Sequence, residues 1–462
     1  MSAASPKGAV IKMYAAREEI YPREAKGRYA TLRWVCVWIT QLVFYGLPWL
    51  NWNGRQAILF DLEARKFHLF DLVLWPQDFI YLAALLIICA YLLFLVTAMA
   101  GRVWCGFACP QTVYTEIFLW IERRIEGARS ARIRLDRQPW NADKLARKSA
   151  KHLAWGAVAL WTGFTFVGYF APIRSLMGAV LALSLGPWQW FWIGFYSLAT
   201  YGNAGWLREQ VCKYMCPYAR FQSAMFDKDT LIVTYDRARG EPRGAAGAQR
   251  EGKGDCIDCS LCVQVCPTGI DIRKGLQYEC IGCAACVDAC NGVMDKIDLP
   301  RGLIGYATDN AREQHWDARQ IARRVLRPRV LIYSALLGLI VTGFLVTLYA
   351  RTPLKLDVIR DRGSMGREVG DGMIENVYRL QIMNTAETAH TFRIQVSGID
   401  GIVLADGAVA ALDPASTRAV PVRVQAPAGA AHKGSNQIRF VLIATDDASL
   451  SVTEKAVFIV PR

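Results

Sequence analysis

The sequence predicts a multi-domain membrane protein: a bundle of five transmembrane α-helices, a cysteine-rich insert that holds metal, and a C-terminal all-β sandwich. Three observations carry that expectation. Five uncharged windows have the length to cross a bilayer, most of the fourteen cysteines fall into motifs at metal-ligand spacing, and the last stretch of chain alternates apolar and polar residues. At 462 residues the chain exceeds one ordinary domain. A composition 53% apolar and only 20% charged excludes disordered and collagen-like classes. The cysteines are too sparse for a disulfide scaffold.

An N-terminal arm, residues 1–33, precedes the first window. The windows are 34–50, 79–100, 153–173, 187–206 and 330–350, and roughly 17–25 apolar residues span the hydrocarbon as helix. A buried core helix of a soluble protein is the competing reading. It has most room at the first window, which contains Gln41 and Pro48. Residues 175–186 are uncharged but too short to cross, and read as an interfacial turn or half-helix. Lys and Arg number seven in the arm, eleven in 101–152 and nineteen in 207–329, against three in 51–78 and one in 174–186. That asymmetry puts the arm, the loop 101–152 and the region 207–329 in the cytoplasm, and the tail 351–462 in the periplasm. The net charge of +14 is thereby a topology signal, and no nucleic-acid partner is needed to explain it. No signal-peptide cleavage pattern is present.

The chemistry lies in the cysteines. Cys256, Cys259, Cys262 and Cys266 form one C-x2-C-x2-C-x3-C run, and Cys280, Cys283, Cys286 and Cys290 form a second. In such paired runs three close thiolates wrap one iron–sulfur cubane and the distant fourth closes its neighbour. The crossed assignment gives one [4Fe–4S] cluster to Cys256, Cys259, Cys262 and Cys290. The other goes to Cys280, Cys283, Cys286 and Cys266, making a dicluster bacterial-ferredoxin-like domain over about 250–300. Small neighbours (Gly282, Ala284, Ala285, Gly292) are expected to let backbone amides approach the sulfurs. Zinc and disulfides are the rivals; zinc usually wants paired C-x2-C knuckles, and a reducing cytoplasm disfavours disulfides. The Gly-, Ala- and Arg-containing stretch 237–255 reads as a flexible linker to this domain.

A second pattern, C-x3-C-P, occurs twice: Cys105 and Cys109 before Pro110, and Cys212 and Cys216 before Pro217. Each places two thiols at i and i+4, with proline ending or redirecting the helix. The two copies suggest an internal duplication, and neighbouring helix ends would bring the four thiols together. Soft thiolates favour Cu(I), zinc or iron–sulfur groups. The plainer alternative is four reduced structural thiols. Cys36 and Cys89 lie alone within spans and read as apolar fillers. In the tail, alternating runs at 377–382, 391–396, 419–424 and 439–443, separated by turn signals, read as an antiparallel β-sandwich without cysteine.

Taken with the Cys-Pro-Thr-Gly-Ile-Asp-Ile segment at 266–272, these motifs resemble the cytochrome c oxidase accessory protein family known as CcoG, FixG or RdxA. The resemblance implies an immunoglobulin-like tail, an inner-membrane location, and maturation of the cbb-type haem–copper oxidase by reduction of Cu(II) to Cu(I). Copper at Cys105, Cys109, Cys212 and Cys216 is inferred from softness and placement, and these would be the catalytic thiols of a cupric reductase. Expected partners are the lipid bilayer, a cytoplasmic electron donor of unknown identity, a copper chaperone or transporter, and oxidase assembly factors. The alternatives are an electron conduit to or from the quinone pool serving a periplasmic reductase, or a non-enzymatic copper-binding scaffold.

Overall fold

The computed structural model describes residues 19–245, 251–361 and 366–461; most of the N-terminal arm lies outside them. The chain divides into two units. The first comprises Met1–Leu47, Ile87–Val167 and Met177–Gly338, the second Pro48–Leu86, Gly168–Leu176 and Leu339–Arg462.

Fifteen helices are described: α1 (Arg28–Gly46), α2 (Phe79–Ala100), α3 (Val103–Phe107), α4 (Pro110–Glu126), α5 (Arg129–Arg137), α6 (Ala142–Val167), α7 (Ile173–Leu181), α8 (Pro187–Tyr201), α9 (Pro217–Met225), α10 (Arg237–Gly240), α11 (Leu261–Gln264), α12 (Ala285–Met294), α13 (Asp309–Glu313), α14 (Ala318–Val325) and α15 (Pro328–Tyr349). Three helical stretches, Arg28–Trp49, Pro76–Ala100 and Pro328–Tyr349, are long and apolar enough to cross a membrane. They fall on the first, second and fifth expected spans. The third and fourth windows fall on helices of another make. The helix α6 starts among charged residues at Ala142 and stops at Val167, so its window ends in a turn. The helix α8 is only 15 residues long and continues into a π-helical stretch, Gly202–Leu207, followed by a second at Val211–Met215. The half-helix expected at 175–186 overlaps α7.

Within the first unit, α6 packs closely on α8 because Gly163 has no side chain to meet Ser197 and the carbonyl of Ile193. The cysteine-rich segment is bracketed by the antiparallel strands Ile232–Tyr235 and Ile304–Ala307, in the register Ile232↔Ala307. Its core gathers Val233, Tyr235, Ile272, Val287, Met294 and Leu303 around the cysteines. The expected linker is tied down wherever it is described. Asp255 accepts from the Arg239 guanidinium, and its own N–H donates to the Arg239 carbonyl at 2.9 Å. The Gly254 N–H donates to the Pro242 carbonyl at 2.9 Å. Glycine and arginine content there reflects a close turn and an ion pair rather than a free tether; residues 246–250 lie outside the described set.

The second unit contains the sandwich. One sheet orders Val403–Leu404, Thr417–Pro427, Met373–Asn384 and Leu354–Arg360, with Arg367–Val369 also paired to Met373–Asn384. The other orders Val409–Leu412, His390–Ser397, Gly434–Ala444 and Ser451–Val460. Each expected run lies inside a strand. Alternate residues Tyr378, Leu380 and Ile382 face a core shared with Phe392, Phe440 and Phe458. The Tyr378 hydroxyl donates to the Val457 carbonyl at 2.9 Å, joining the two sheets. The loop between the first two spans also carries strands, Ile58–Asp61, Lys66–Leu69 and Leu72–Leu74, in one small sheet. Beside it, the buried Asp78 carboxylate receives Arg351 at 2.8 Å and the Lys355 ammonium.

Candidate metal centre

The two four-cysteine runs fold as near copies. Asp258 and Ser260 in the first, and Gly282 and Ala284 in the second, all adopt positive φ, at 52°, 57°, 66° and 56°. These left-handed residues stand two and four positions after the first cysteine of each run, so the two loops share the same turns. Small neighbours were expected to matter by size. At Gly282 they do, since an added Cβ would stand 3.2 Å from the Arg102 backbone; at Gly292 nothing is near. What the loops require is the left-handed turn, and Asp258 tolerates it as glycine does.

Cys256, Cys259, Cys262 and Cys290 line one cavity, with Tyr235, Arg273 and Met294 among the other walls. Cys266, Cys280, Cys283 and Cys286 line a second, which Cys262 also borders. Among the described residues no three His, Cys, Asp or Glu side chains converge tightly enough to grip a single ion. Four cysteines around each cavity are a donor set that fits a [4Fe–4S] cluster. Burial raises the free thiols, Cys262 to about 11 and Cys280 and Cys290 to about 12. Loading metal at neutral pH therefore expels protons.

The C-x3-C-P thiols meet at the same place. Proline does not end the helices there; Pro110 and Pro217 are the first residues of α4 and α9, with Cys109 and Cys216 as the N-caps. Burial raises Cys105 to about 12 and Cys212 to about 11, each repelled further by neighbouring thiols of both motifs. The Cys105 Sγ lies 3.2 Å from Oε1 of the buried Gln222. Cys105 and Cys212 pack against the cluster of Val265, Ile281, Cys283 and Ala285. At Gly106 an added Cβ would sit 2.8 Å from the Cys283 backbone and the Ile281 carbonyl. The first motif is thus seated directly on the second cysteine loop. Arg102 bridges them, donating to the carbonyls of Tyr278 and Ala219.

Three charged residues of this centre carry no local sequence signal. Arg33 is buried within electrostatic reach of Cys283 and Cys286, and its Nε finds no hydrogen-bond partner. Arg273 beside Cys262 is held by Asp271 at 2.8 Å and by Asp258. Asp288 on α12 accepts from the N–H groups of Tyr29 at 3.2 Å and Ala30 at 2.7 Å, capping α1. Arg33 and Asp288 are revealed only by contacts far apart in sequence, whereas Arg273 meets partners 2 and 15 residues away.

Comparison with known proteins agrees with this picture. Residues 207–309 match the family described as a 4Fe-4S dicluster domain, and residues 82–127 match a 4Fe-4S binding domain. Residues 344–461 match the IG-like fold at the C-terminus of FixG, a family described as a putative oxidoreductase. The chain is 39% identical to the nitrogen fixation protein FixG of Rhizobium meliloti, covering 95% of this chain and 91% of that one. It is 40% identical to protein RdxA of Cereibacter sphaeroides, over 84% of each chain. Protein RdxB of the same organism is also 40% identical, over 85% of each.

Proposed function

Because the chain belongs to the FixG/RdxA family of iron–sulfur membrane proteins, we propose that it transfers single electrons to Cu(II), delivering Cu(I) for assembly of a cbb-type cytochrome c oxidase. The observation that carries this reading is the contact of Gly106 and Cys105 with the Cys283 loop. It leaves no gap for a diffusing carrier between a cluster-binding loop and the membrane-edge thiols.

Cys256, Cys259, Cys262 and Cys290 hold one [4Fe–4S] group, and Cys266, Cys280, Cys283 and Cys286 the other. Bound there, these groups store one electron each. Cys105, Cys109, Cys212 and Cys216 present Cu(II) as substrate, and their softness stabilises the Cu(I) product. Arg102 positions the two loops. In the proposed topology of five spans, the arm and the cysteine domain face the cytoplasm and the sandwich faces the periplasm of an inner membrane. There the sandwich meets an assembly partner, and copper passes to a chaperone or transporter.

The test is Cu(II) reduction by purified protein whose clusters have been reduced with dithionite and freed of excess reductant. Wild type should form Cu(I) as the cluster signal disappears. The double variant Cys256→Ser with Cys283→Ser should form none. Copper reduction that persists without either cluster would eliminate the relay.

A further inference from the structure

A cavity of about 460 Å3 opens where the start of the expected third span meets the π-helical end of α8, and none of the cysteines lines it. Its volume suits a single small-molecule ring. His152, the residue before that span, stacks on Trp206 with centroids 5.9 Å apart and planes 16° from parallel. The His152 Nδ1 shares a 2.8 Å hydrogen bond with the Tyr201 hydroxyl, so Nε2 is the ring nitrogen not used in that bond. The Trp155 indole is fixed by its 3.0 Å bond to the Phe118 carbonyl.

Three cations also border the cavity, yet each is already matched. Arg208 pairs with Glu122 at 3.1 Å, Lys151 with Glu126 at 2.9 Å, and Lys148 with Glu126 at 3.1 Å and Asp136 at 2.5 Å. An anionic guest would find no net positive charge, whereas a flat neutral ring with polar ends would find the exposed part of Trp206 and hydrogen-bonding groups. The wall is also strained. Arg208 adopts φ 43° and ψ −111°, a combination L-residues avoid, between two π-helical turns of the kind that gather at functional sites. Its carbonyl, with that of Asn203, accepts from the Gln111 side chain at 3.0 and 2.9 Å, two residues past Cys109. Three residues beyond the wall residue Glu209 lies Cys212. The cavity is therefore braced by both thiol motifs.

We propose that this cavity binds the head group of a membrane quinol, packed against the half-exposed Trp206 and hydrogen-bonded to His152, as the electron donor. The proposal rests on the electron-transfer reading above and names its source. Each quinol oxidised to quinone releases two electrons, one for each iron–sulfur cluster, and two protons, the first accepted by His152 and the second released to water at the open mouth of the cavity.

The experiment uses full-length protein in detergent with both clusters intact. Decylubiquinone binding is measured by equilibrium dialysis, and its reoxidation of dithionite-reduced clusters, the same step in reverse, by stopped-flow absorbance. Wild type should bind saturably. Trp206→Ala and His152→Gln should each weaken binding and slow reoxidation at least tenfold, while the reduced-cluster paramagnetic signal stays at full size. Absence of saturable binding, or unchanged binding in both variants, overturns the proposal. So does displacement of the quinone by phosphatidylglycerol but not phosphatidylcholine, which would make the cavity a lipid head-group site. Failure of dithionite-reduced protein to reduce Cu(II) would strike the copper reading and leave the binding result standing, so the two failures are separable.

Discussion

Arg33 sets a fixed positive charge near Cys283 and Cys286 without a hydrogen bond at its Nε. A guanidinium there stabilises the more negative, reduced state of whatever those sulfurs hold. Replacing it by Arg33→Gln should lower the midpoint potential of one cluster by on the order of 50 mV and leave the other unmoved, from a Coulomb term at an effective dielectric near 20. Redox titration followed by paramagnetic resonance reads both. Two equal shifts would show a diffuse effect instead. The contact at Gly106 gives a second single-residue outcome. Gly106→Val must push the Cys283 loop away, so Cu(II) reduction should slow about tenfold or more for a displacement near 1 Å, with iron content unchanged. Every cysteine of this centre is legible in the sequence, because thiol spacing is a local code. Arg33, Arg102 and Asp288 are not, because their meaning is a contact across many tens to hundreds of residues.

Caps and turns decide how the pieces are fastened. Asp288 belongs to α12 yet closes the N-terminus of α1. Asp288→Ala should cost about 1 kcal/mol, the usual worth of an N-cap, and raise amide exchange in the first turn of α1, measured by mass spectrometry. Asp78 offers a pH-dependent counterpart. Its buried carboxylate pairs with Arg351 at 2.8 Å and with the Lys355 ammonium, and accepts from the Trp75 N–H at 3.1 Å. An ion-paired carboxylate stabilises the fold at neutral pH, and that contribution disappears as acid protonates it. Asp78→Asn should therefore lose about 2 kcal/mol near pH 7, between the worth of an exposed and a buried pair. At pH 3 the difference in thermal midpoint should shrink. At this scale the long apolar helices and alternating strands were readable from composition and period. The π-helical turns after α8 and the small sheet between the first two spans were not. Helical bulges leave no compositional mark, and strands of two to four residues are too short for a period to register.

Across the whole molecule, the asymmetry of basic residues predicts which side each unit occupies. A cysteine introduced at the exposed Ser449 should react with a membrane-impermeant maleimide in intact cells. Protection there, with labelling only after lysis, would invert the topology. Three crossings carry the apolar length of a span in the structure; the third and fourth windows do not read as cleanly because α6 is amphipathic at its start and α8 is short. All fourteen cysteines of the chain precede residue 291, so the sandwich core around Phe392, Phe440 and Phe458 contains no thiol. Such a module offers no thiol for oxidants to crosslink. On the proposed topology it matures after export without oxidative folding enzymes and has no disulfide to scramble.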